Sequence, residues 1–432
     1  MECVSNGFEY FTPQPIQTSI LRTFKREYTP ISAMQHGSPI EFHVPGTGQF
    51  YLDLANSFIE VKAKIVDAEN KDTVADTKAV PCNNVLHSLF SGIEVELNGK
   101  TISDANALYP YRAYFETLFN FNKEAQENML DIQGWARDTA GKMTVYESTG
   151  ALATNEGAKK RMKHFLDGKT VQMIGRPHLD IFHQGLYLPS NVSLKMKFNI
   201  SKDNFVISQP GVGAVAFKMK ILEMKLVIKT LEVSPSLALA HEQMLTKTNM
   251  RFPLRRISLK HLTIPAGQTT ISHDNILLGE IPERIILGLL NDSDLVGGNQ
   301  TNPFNFQHFS VNQLAMYVNG ELVPNKKYTP NFATGEYIRE FVGMYEGLNK
   351  YLKTINFDLS INEFGNGYTI YVFDLTPDSL SSDCHAVPRK GAVRLDLQFA
   401  TAPATSIAAI IYAEYDSMIE IDKYRNVITP NF

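Results

Sequence analysis

The histidines offer the first grouping whose residue types and spacing could perform chemistry. His178 and His183 flank Asp180 in the segment 178–183, and two imidazoles with a carboxylate are a ligand set that Zn²⁺ accepts in proteins. The segment is expected to lie near a strand, where positions 178 and 183 would point to opposite faces of the sheet. We therefore interpret these residues as polar groups at a strand edge, and the sequence predicts no metal-ligating residues.

The sequence also offers few candidate residues for catalysis by a nucleophile or by paired carboxylates. Cys384-His385 places a thiol beside an imidazole, but neighbours on one strand rarely form a nucleophile–base pair. Two carboxylate pairs occur, Glu94 with Glu96 on the expected solvent face of a strand and Asp292 with Asp294 in an expected loop. Neither pair has a partner that would support glycoside hydrolysis. The sequence therefore predicts no catalytic residues and no enzyme activity.

Phosphate-binding turns are suggested by three short glycine motifs, but their spacing is wrong. Gly-Lys-Thr occurs at 99–101 and at 168–170, and no glycine stands five residues before either one, as a phosphate-binding loop requires. Gly211-Val212-Gly213 lacks the third glycine and the following helix of a dinucleotide-binding turn. We therefore expect no cofactor.

The composition is that of a globular chain without a polyanion-binding surface. Its 432 residues are enough for two domains of about 200 residues each. The net charge of −4 leaves no basic stripe of the kind that displaces counterions from nucleic acid. The densest basic cluster, Lys159-Lys160-Arg161 with Lys163, is expected to be a solvated loop. We expect no specific nucleic acid as a partner.

The cysteines, the amino terminus and the apolar stretches indicate in which cellular compartment the chain folds. Cys3, Cys82 and Cys384 are odd in number and far apart, which fits neither a disulfide framework nor a zinc motif. The amino terminus lacks the charged and apolar regions of a secretory signal. The longest apolar stretch, 407–413, is too short to cross a bilayer. The sequence therefore predicts a reducing compartment and no membrane span.

Nearly the same pattern occurs twice along the chain. An alternating strand pattern runs into Asn98-Gly99, and a similar one runs into Asn319-Gly320. Asn-Gly at the end of such a run is typical of a two-residue hairpin turn with positive φ. A helical stripe of apolar residues follows each turn, within 111–119 and within 337–348. These paired signals predict two domains of one architecture.

Most of the remaining chain alternates apolar and polar residues, as antiparallel strands with one wet face do. The segment 194–200 is an example, with lysines between its apolar residues. Two long strand patterns change phase, near Leu222 and near Lys260-His261. An extra residue in a strand has this effect, so we predict β-bulges at both places.

Proline and small polar residues mark two helix starts. Pro110 suits the first turn of the helix within 111–119, with Asp104 or Asn106 as a possible cap. Ser234 followed by Pro235 predicts a further helix between the two β-rich halves. We interpret this helix as a connector between domains.

These signals together predict the fold class: all-β, with two tandem eight-stranded antiparallel jelly rolls, a double jelly roll, and a few short helices. A second long loop is expected at 291–306. The predicted organisation is an extended N-terminal arm at 1–38, a first jelly roll at 39–233 with a long loop at 131–176, a helical connector at 234–248, a second jelly roll at 249–424 and a C-terminal tail at 425–432.

Several segments, taken in order, resemble the major capsid proteins of Polinton (Maverick) elements and their adintovirus relatives. The similarity runs from about residue 40 to the carboxyl end. The segments that carry it are 84–90, 97–100, 109–118, 180–188, 373–378, 412–416 and 425–427.

The resemblance implies a structural role. Proteins of this family trimerise into pseudo-hexameric capsomers that tile an icosahedral shell, and their long loops rise as towers, here 131–176 and 291–306. The implied partners are further copies of the chain, neighbouring capsomers, and penton and minor capsid proteins. The implied location is the virion capsid, with synthesis in the host cytoplasm and assembly in the cytoplasm or nucleus. Such elements integrate into host genomes, so a virion gene and a domesticated copy both fit.

Two other function classes stay open at this point. A carbohydrate-binding or carbohydrate-processing β-sandwich would need a groove lined with aromatics, and Trp135, the single tryptophan, lies in the predicted loop 131–176. A cupin-like metal enzyme would need a His-x-His pair on a strand, and the 11 histidines contain none.

Overall fold

The computed structural model describes residues 16–46, 48, 50–74, 79–103, 106–146, 154–209, 217–298, 300–353, 357–377 and 387–429. Within these ranges the strands are β1 (Ile20–Tyr28), β2 (Ile40–Val44), β3 (Phe50–Val66), β4 (Val80–Pro81), β5 (Phe90–Leu97), β6 (Lys100–Thr101), β7 (Val171–Gly175), β8 (Leu194–Ile200), β9 (Ile207–Ser208), β10 (Lys218–Val233), β11 (Met250–Ile264), β12 (Thr270–Glu280), β13 (Arg284–Asn291), β14 (Val311–Val318), β15 (Glu321–Tyr328), β16 (Ile370–Asp374), β17 (Lys390–Phe399), β18 (Ile407–Ile421) and β19 (Val427–Ile428).

The helices in the same ranges are α1 (Val85–Ser88), α2 (Tyr109–Asn120), α3 (Lys123–Glu127), α4 (Glu156–Phe165), α5 (Asp203–Val206), α6 (Pro235–Leu245), α7 (Asp292–Val296), α8 (Ile338–Gly347) and α9 (Ile361–Gly365). Short 3₁₀ turns cover Met129–Gln133, Leu166–Gly168 and Asp180–Phe182.

The strands form two antiparallel sandwiches of identical topology. The first has sheets ordered β1-β10-β3-β7 and β2-β8-β5-β6, with β4 and β9 as a separate small pair. The second has sheets ordered β11-β18-β13-β16 and β12-β17-β14-β15. When the eight main strands of each sandwich are counted in chain order, one sheet holds the first, eighth, third and sixth, and the other holds the second, seventh, fourth and fifth. This is the jelly-roll order, and the predicted double jelly roll is confirmed.

Alternation positions the side chains as the sequence predicts. On β8, Leu194, Met196 and Phe198 are fully buried, whereas the intervening Lys195 and Lys197 reach the surface. Because successive residues of a strand point to opposite faces, each sheet has one core face and one outer face.

The two Asn-Gly turns have the same structure and the same anchoring. Asn98 and Gly99 have φ values of 47° and 79°, and the corresponding values at Asn319 and Gly320 are 52° and 89°. Each turn joins directly paired strands in a two-residue hairpin. The asparagine Oδ1 accepts a backbone N–H at the seventh strand of its own jelly roll, at 2.7 Å for Asn98 and 3.0 Å for Asn319. The side chain thus fixes each turn to its sheet.

Of the two predicted bulges, one is present. The pairing of β10 with β3 shifts between Ile221 and Glu223, next to Leu222. The prediction of a bulge near Lys260-His261 is wrong, because β11 pairs with β18 in unbroken register. Ile257 and Leu259 are buried against the first jelly roll, beside Ile93 and Val95, while the other face of β11 enters its own sandwich. Because different parts of β11 are buried on different faces, its apolar residues switch between odd and even positions as they would at a bulge.

The predicted arm at 1–38 needs correction. Residues Ile20–Tyr28 form β1, an edge strand that pairs with β10, while residues 1–15 lie outside the described ranges. The alternation was hidden because Arg26 occupies the same face as Phe24, with its guanidinium 5.0 Å from that ring and 4.4 Å from the ring of Phe50. Such cation–π contacts let a charged residue take an inward-leaning position at a sheet edge.

Other boundaries differ in detail. Helix α2 is capped by Leu108 without a side-chain hydrogen bond; Asn106 donates to the carbonyl oxygen of Leu259 instead, and Asp104 is outside the described residues. Ser234 caps α6, as predicted. The predicted tail at 425–432 contains β19, which pairs with β18. The exact limits of the domains stay predictions.

Substituting Gly99 with Val should destabilise the protein through backbone strain alone. No atom lies within 4 Å of a Cβ built on Gly99, but its φ of +79° disfavours a branched side chain. We expect the free energy of unfolding to fall by about 1–3 kcal/mol, measured by chemical denaturation. Gly185→Val is the matched control, because Gly185 also has open space and lacks a positive φ. An equal loss in both variants would contradict the strain argument.

Candidate functional site

Helix α2 is the element on which the contact between the two jelly rolls is built. All its residues from Tyr109 to Phe119 are buried, although a helix on the surface of one sandwich would bury only one stripe. Tyr114 stacks on Phe304 of the second jelly roll with ring centroids 4.3 Å apart, and Phe115 lies 5.1 Å from Phe306. Helix α2 therefore belongs to both cores. We call the contact of α2 and its neighbouring loops with the second jelly roll the junction.

At the junction, the second jelly roll contacts a solvent-inaccessible ion pair of the first. Arg161 Nη2 lies 2.7 Å from Asp138 Oδ1, with side-chain exposures of 2% and 0%. Asn155 Nδ2 donates to the same oxygen at 2.8 Å, and Asn302 Nδ2 of the second jelly roll donates to Oδ2 at 3.1 Å. The Tyr368 hydroxyl donates to the Asp138 carbonyl at 2.6 Å. The buried carboxylate is thus satisfied from both jelly rolls, as a buried charge must be.

For residues 134–146 and 301–306, these contacts contradict the expectation that the two long loops project as towers. Residues 134–146 pack at the junction, and Trp135 is fully buried against Tyr114 rather than available to a sugar. The segment 301–306 of the second loop supplies Phe304 and Phe306 to the shared core. The predicted loop 131–176 also contains helix α4 and strand β7.

The basic cluster at 159–163 is not a solvated loop. It lies on helix α4, whose first turn is capped by Asn155. One helical face directs Arg161 inward to Asp138, while the partly exposed Lys160 pairs with Asp131 at 2.9 Å. The helical period separates neighbouring cations in this way.

A second polar cluster at the junction brings two histidines into contact with charged side chains, residue types that occur in catalytic and metal sites. Arg112 Nε lies 2.9 Å from Glu116 Oε1, and Arg112 Nη2 lies 2.7 Å from Asp180 Oδ1. His178 Nδ1 is 2.6 Å and His183 Nε2 is 3.4 Å from Glu116 Oε2. We call these five residues the Glu116 cluster.

Burial and mutual contact set the charges in the Glu116 cluster. Burial by itself raises the pKa of Glu116, but Arg112, His183 and His178 hold that pKa well below its usual range. Burial lowers the pKa of His183, and Glu116 only partly offsets this. Burial raises the pKa of Asp180, against the opposing effect of Arg112. Glu116 is therefore the stable anion of the cluster.

The structure brings together two histidines that the sequence placed on opposite faces of a strand. Residues Asp180–Phe182 form a 3₁₀ turn instead, and the rings of His178 and His183 have centroids 5.7 Å apart. Sequence reasoning missed Glu116, which lies 62 residues before His178. Its only signal was its place in the repeated helix, where Phe115-Glu116 corresponds to Tyr345-Glu346.

Other candidate residues do not form a site in the part of the chain that the structure covers. Glu94 accepts a hydrogen bond from Asn199 at 3.0 Å and pairs with Lys197. Cys82 is buried and free. Cys3, Cys384-His385 and Gly211-Val212-Gly213 lie outside the described residues.

In the described ranges, no helix combines the length and the apolar character that crossing a membrane would need.

Comparison with known proteins places the fold among viral capsid proteins. No protein-family model matches the chain. An uncharacterized protein of Caenorhabditis elegans is 22% identical over 410 residues, which are 92% of this chain and 94% of that protein. A chain in the cryo-electron-microscopy structure of the Sputnik virophage superposes with a TM-score of 0.64 at 14% identity, covering 100% of this chain and 92% of that chain.

Two viral major capsid proteins share the same architecture at lower TM-scores. The Faustovirus major capsid protein has a TM-score of 0.58 at 9% identity, over 94% of this chain and 91% of that chain. The mavirus major capsid protein has a TM-score of 0.52 at 11% identity, over 100% of this chain and 95% of that chain. The similarity therefore covers both jelly rolls and not a single sandwich.

Removing the buried cation at the junction should be strongly destabilising. Arg161→Met leaves Asp138 charged and buried, so we expect the free energy of unfolding to fall by about 3–5 kcal/mol, measured by urea denaturation. Lys160→Met, at the neighbouring partly exposed pair, is the control and should cost less than about 1 kcal/mol. Similar losses in the two variants would contradict the role given to Arg161.

Asp294→Asn should stabilise the protein at pH 8 and have little effect at pH 4. Asp294 is buried on α7, its Oδ2 has no hydrogen-bond partner in the described residues, and burial raises its pKa from 3.8 to about 7. The unfolded chain releases this proton at lower pH than the folded chain, so wild-type stability declines as the pH rises between these values.

We expect a gain of more than about 1 kcal/mol in the free energy of unfolding at pH 8, measured by denaturation at both pH values. Asp292→Asn, less buried on the same helix, is the control. The same gain at pH 4 and pH 8 would refute the assignment.

Proposed function

We propose that this chain is the major capsid protein of a Polinton- or adintovirus-type element, a structural subunit that trimerises into pseudo-hexameric capsomers tiling an icosahedral shell. One observation carries the proposal: the same eight-strand topology occurs twice in one chain, and its whole length superposes on capsid proteins of other viruses. The relative in a nematode supports the lineage, because elements of this type integrate into host genomes.

The geometry of the junction suits such a role. Three copies of a chain with two like domains present six similar wedges around an axis, which approximates a hexagon. The arrangement requires the two domains to keep a fixed relation, and a shared core supplies one, since domains with small polar contacts move relative to each other. Function then resides in shape, and we propose no catalytic role.

The junction also serves as a template for contacts between copies. Helix α2 follows the hairpin β5–β6, and α8 follows the corresponding hairpin β14–β15. On the first jelly roll, the α2 face meets the outer face of the sheet containing β11, β18 and β13, where Tyr412 approaches Phe115 with ring centroids 6.1 Å apart. In a closed ring, the α8 face would meet the outer face of the first jelly roll of the next copy.

The α8 face has the features of an uncovered contact. Tyr351 and Leu352, just after the helix, are 46% and 87% exposed. Beside them a cavity of about 380 Å³ is bordered by Glu346, the counterpart of Glu116. Two consecutive exposed apolar residues, of which Tyr351 borders this concave surface, form the start of an apolar patch.

The opposing surface resembles the one used inside the chain. At the junction, the outer face of the second jelly roll carries ion pairs, with Glu414 2.9 Å from both Arg255 and Arg284. The outer face of the first jelly roll likewise carries Lys225 paired with Glu27 at 3.0 Å. Both faces thus combine charges that are already paired, which lowers the cost of covering them.

The further partners proposed are neighbouring capsomers and penton and minor capsid proteins, with the virion capsid as the location. The carbohydrate-binding alternative gains no support from the described residues, since Trp135 is fully buried.

Light scattering coupled to gel filtration tests the proposal. The purified chain should have three times its mass of 48.5 kDa at micromolar concentration, and electron microscopy should reveal hexagonal particles. A stable monomer would overturn the capsid proposal.

Leu352→Asp tests the α8 face. The variant should be a monomer instead of a trimer, because a charge buried between copies is costly. The melting temperature of the individual subunit should not change. Leu278→Asp is the control; Leu278 is 73% exposed on β12, in the opposite sheet. A trimeric Leu352→Asp variant would contradict the α8 contact but leave the capsid role standing.

A further inference from the structure

The Glu116 cluster contains three groups of the types that bind transition metals. Glu116 Oε2, His178 Nδ1 and His183 Nε2 lie within 4.8 Å of one another. In tetrahedral zinc sites with bonds of about 2.0–2.1 Å, the ligand atoms are about 3.3 Å apart. The Glu116–His183 separation of 3.4 Å already has this value, and the Glu116–His178 separation of 2.6 Å is a hydrogen bond that would open by less than an ångström.

The surrounding residues hold the carboxylate in a suitable orientation. Arg112 Nε donates to Glu116 Oε1 at 2.9 Å, which leaves Oε2 directed at the two imidazoles. The Tyr109 hydroxyl accepts from the backbone N–H of His178 at 3.2 Å and fixes the position of that residue. Outer partners of this kind orient the ligands of metal sites. Arg176 Nη2, 3.4 Å from His183 Nδ1, would turn toward solvent so that this nitrogen keeps its proton.

An ion and a water molecule can reach the cluster from one side. A cavity of about 230 Å³ opens at the junction and is bordered by Glu116 and His183, with Tyr412 and Glu414 across it. The His183 side chain is 29% exposed, whereas those of Glu116 and His178 are 9% exposed. Two buried ligands, one accessible ligand and an open side match a site with three protein ligands and a water.

We propose that Glu116, His178 and His183 form a Zn²⁺ site at the junction of the two jelly rolls. Nitrogen and carboxylate ligands with tetrahedral freedom suit Zn²⁺ better than Mg²⁺ or Ca²⁺, which prefer six or more oxygens. The ion would connect α2 to the turn at 178–183 and stabilise the junction. The inference does not depend on the capsid role, since its readouts are binding and stability.

The test uses the full chain, treated with a chelator and then titrated with ZnCl₂. We expect one equivalent of zinc per chain, measured by isothermal titration calorimetry and elemental analysis after gel filtration, and a raised melting temperature. Replacing His183 by Ala should weaken zinc binding at least about tenfold and abolish the thermal shift. His164→Ala is the matched control, because His164 is 44% exposed and lies 3.7 Å from Asp131; it should bind zinc as the wild type does.

A second probe keeps the test decisive if His183→Ala does not fold. Co²⁺ bound to the wild-type chain should give the visible absorption of a tetrahedral nitrogen- and oxygen-ligated ion, and Zn²⁺ should remove it. Absence of stoichiometric zinc uptake, uptake unchanged in folded His183→Ala, or an octahedral Co²⁺ spectrum would each overturn the proposal.

Discussion

The structure depends on the burial of helix α2 between two sandwiches. Its ring stack with Phe304 and the contacts with Phe306 place aromatic side chains of both halves in one core. Each fully buried aromatic contributes about 1.5–3 kcal/mol relative to exposure, so separating the jelly rolls would expose several such side chains at once. Separating the two jelly rolls is therefore costly, and the shared core holds them in one relative placement.

Polar groups at the junction determine how the two jelly rolls are oriented in this apolar contact. Asp138 receives donors from Arg161 and Asn155 on its own side and from Asn302 on the other, and the hydrogen bond from Asn302 forms in only one relative placement of the jelly rolls. Buried charges contribute little net stability but are costly when mispaired. The apolar contact thus supplies stability, while the hydrogen bond from Asn302 to the buried carboxylate selects the geometry. The Glu116 cluster repeats this principle with histidines in place of asparagines.

The two copies of the repeat have the same local structure, but they differ in their tertiary contacts. Both Asn-Gly turns have similar positive φ values, and each asparagine side chain accepts a backbone N–H at the seventh strand of its own sandwich. The helices that follow differ in what covers them: α2 is enclosed within the chain, whereas the region after α8 leaves Leu352 exposed. One copy of the duplicated surface is therefore covered within the chain, and the other is the one that the proposed assembly would cover.

The sequence alone determined the features that neighbouring residues fix: alternating strands, Asn-Gly hairpins, the bulge at Leu222 and the Ser234 cap, because backbone sterics and local hydrogen bonds act within a few positions. Only the tertiary structure decided the burial of Trp135, the unbulged β11 and the meeting of Glu116 with His178 and His183. Their partners lie far along the chain, and one pattern of apolar residues results whether a strand is covered by its own sandwich or by another. Burial by a distant domain leaves no periodicity of its own, so it becomes visible only when the two jelly rolls are in contact.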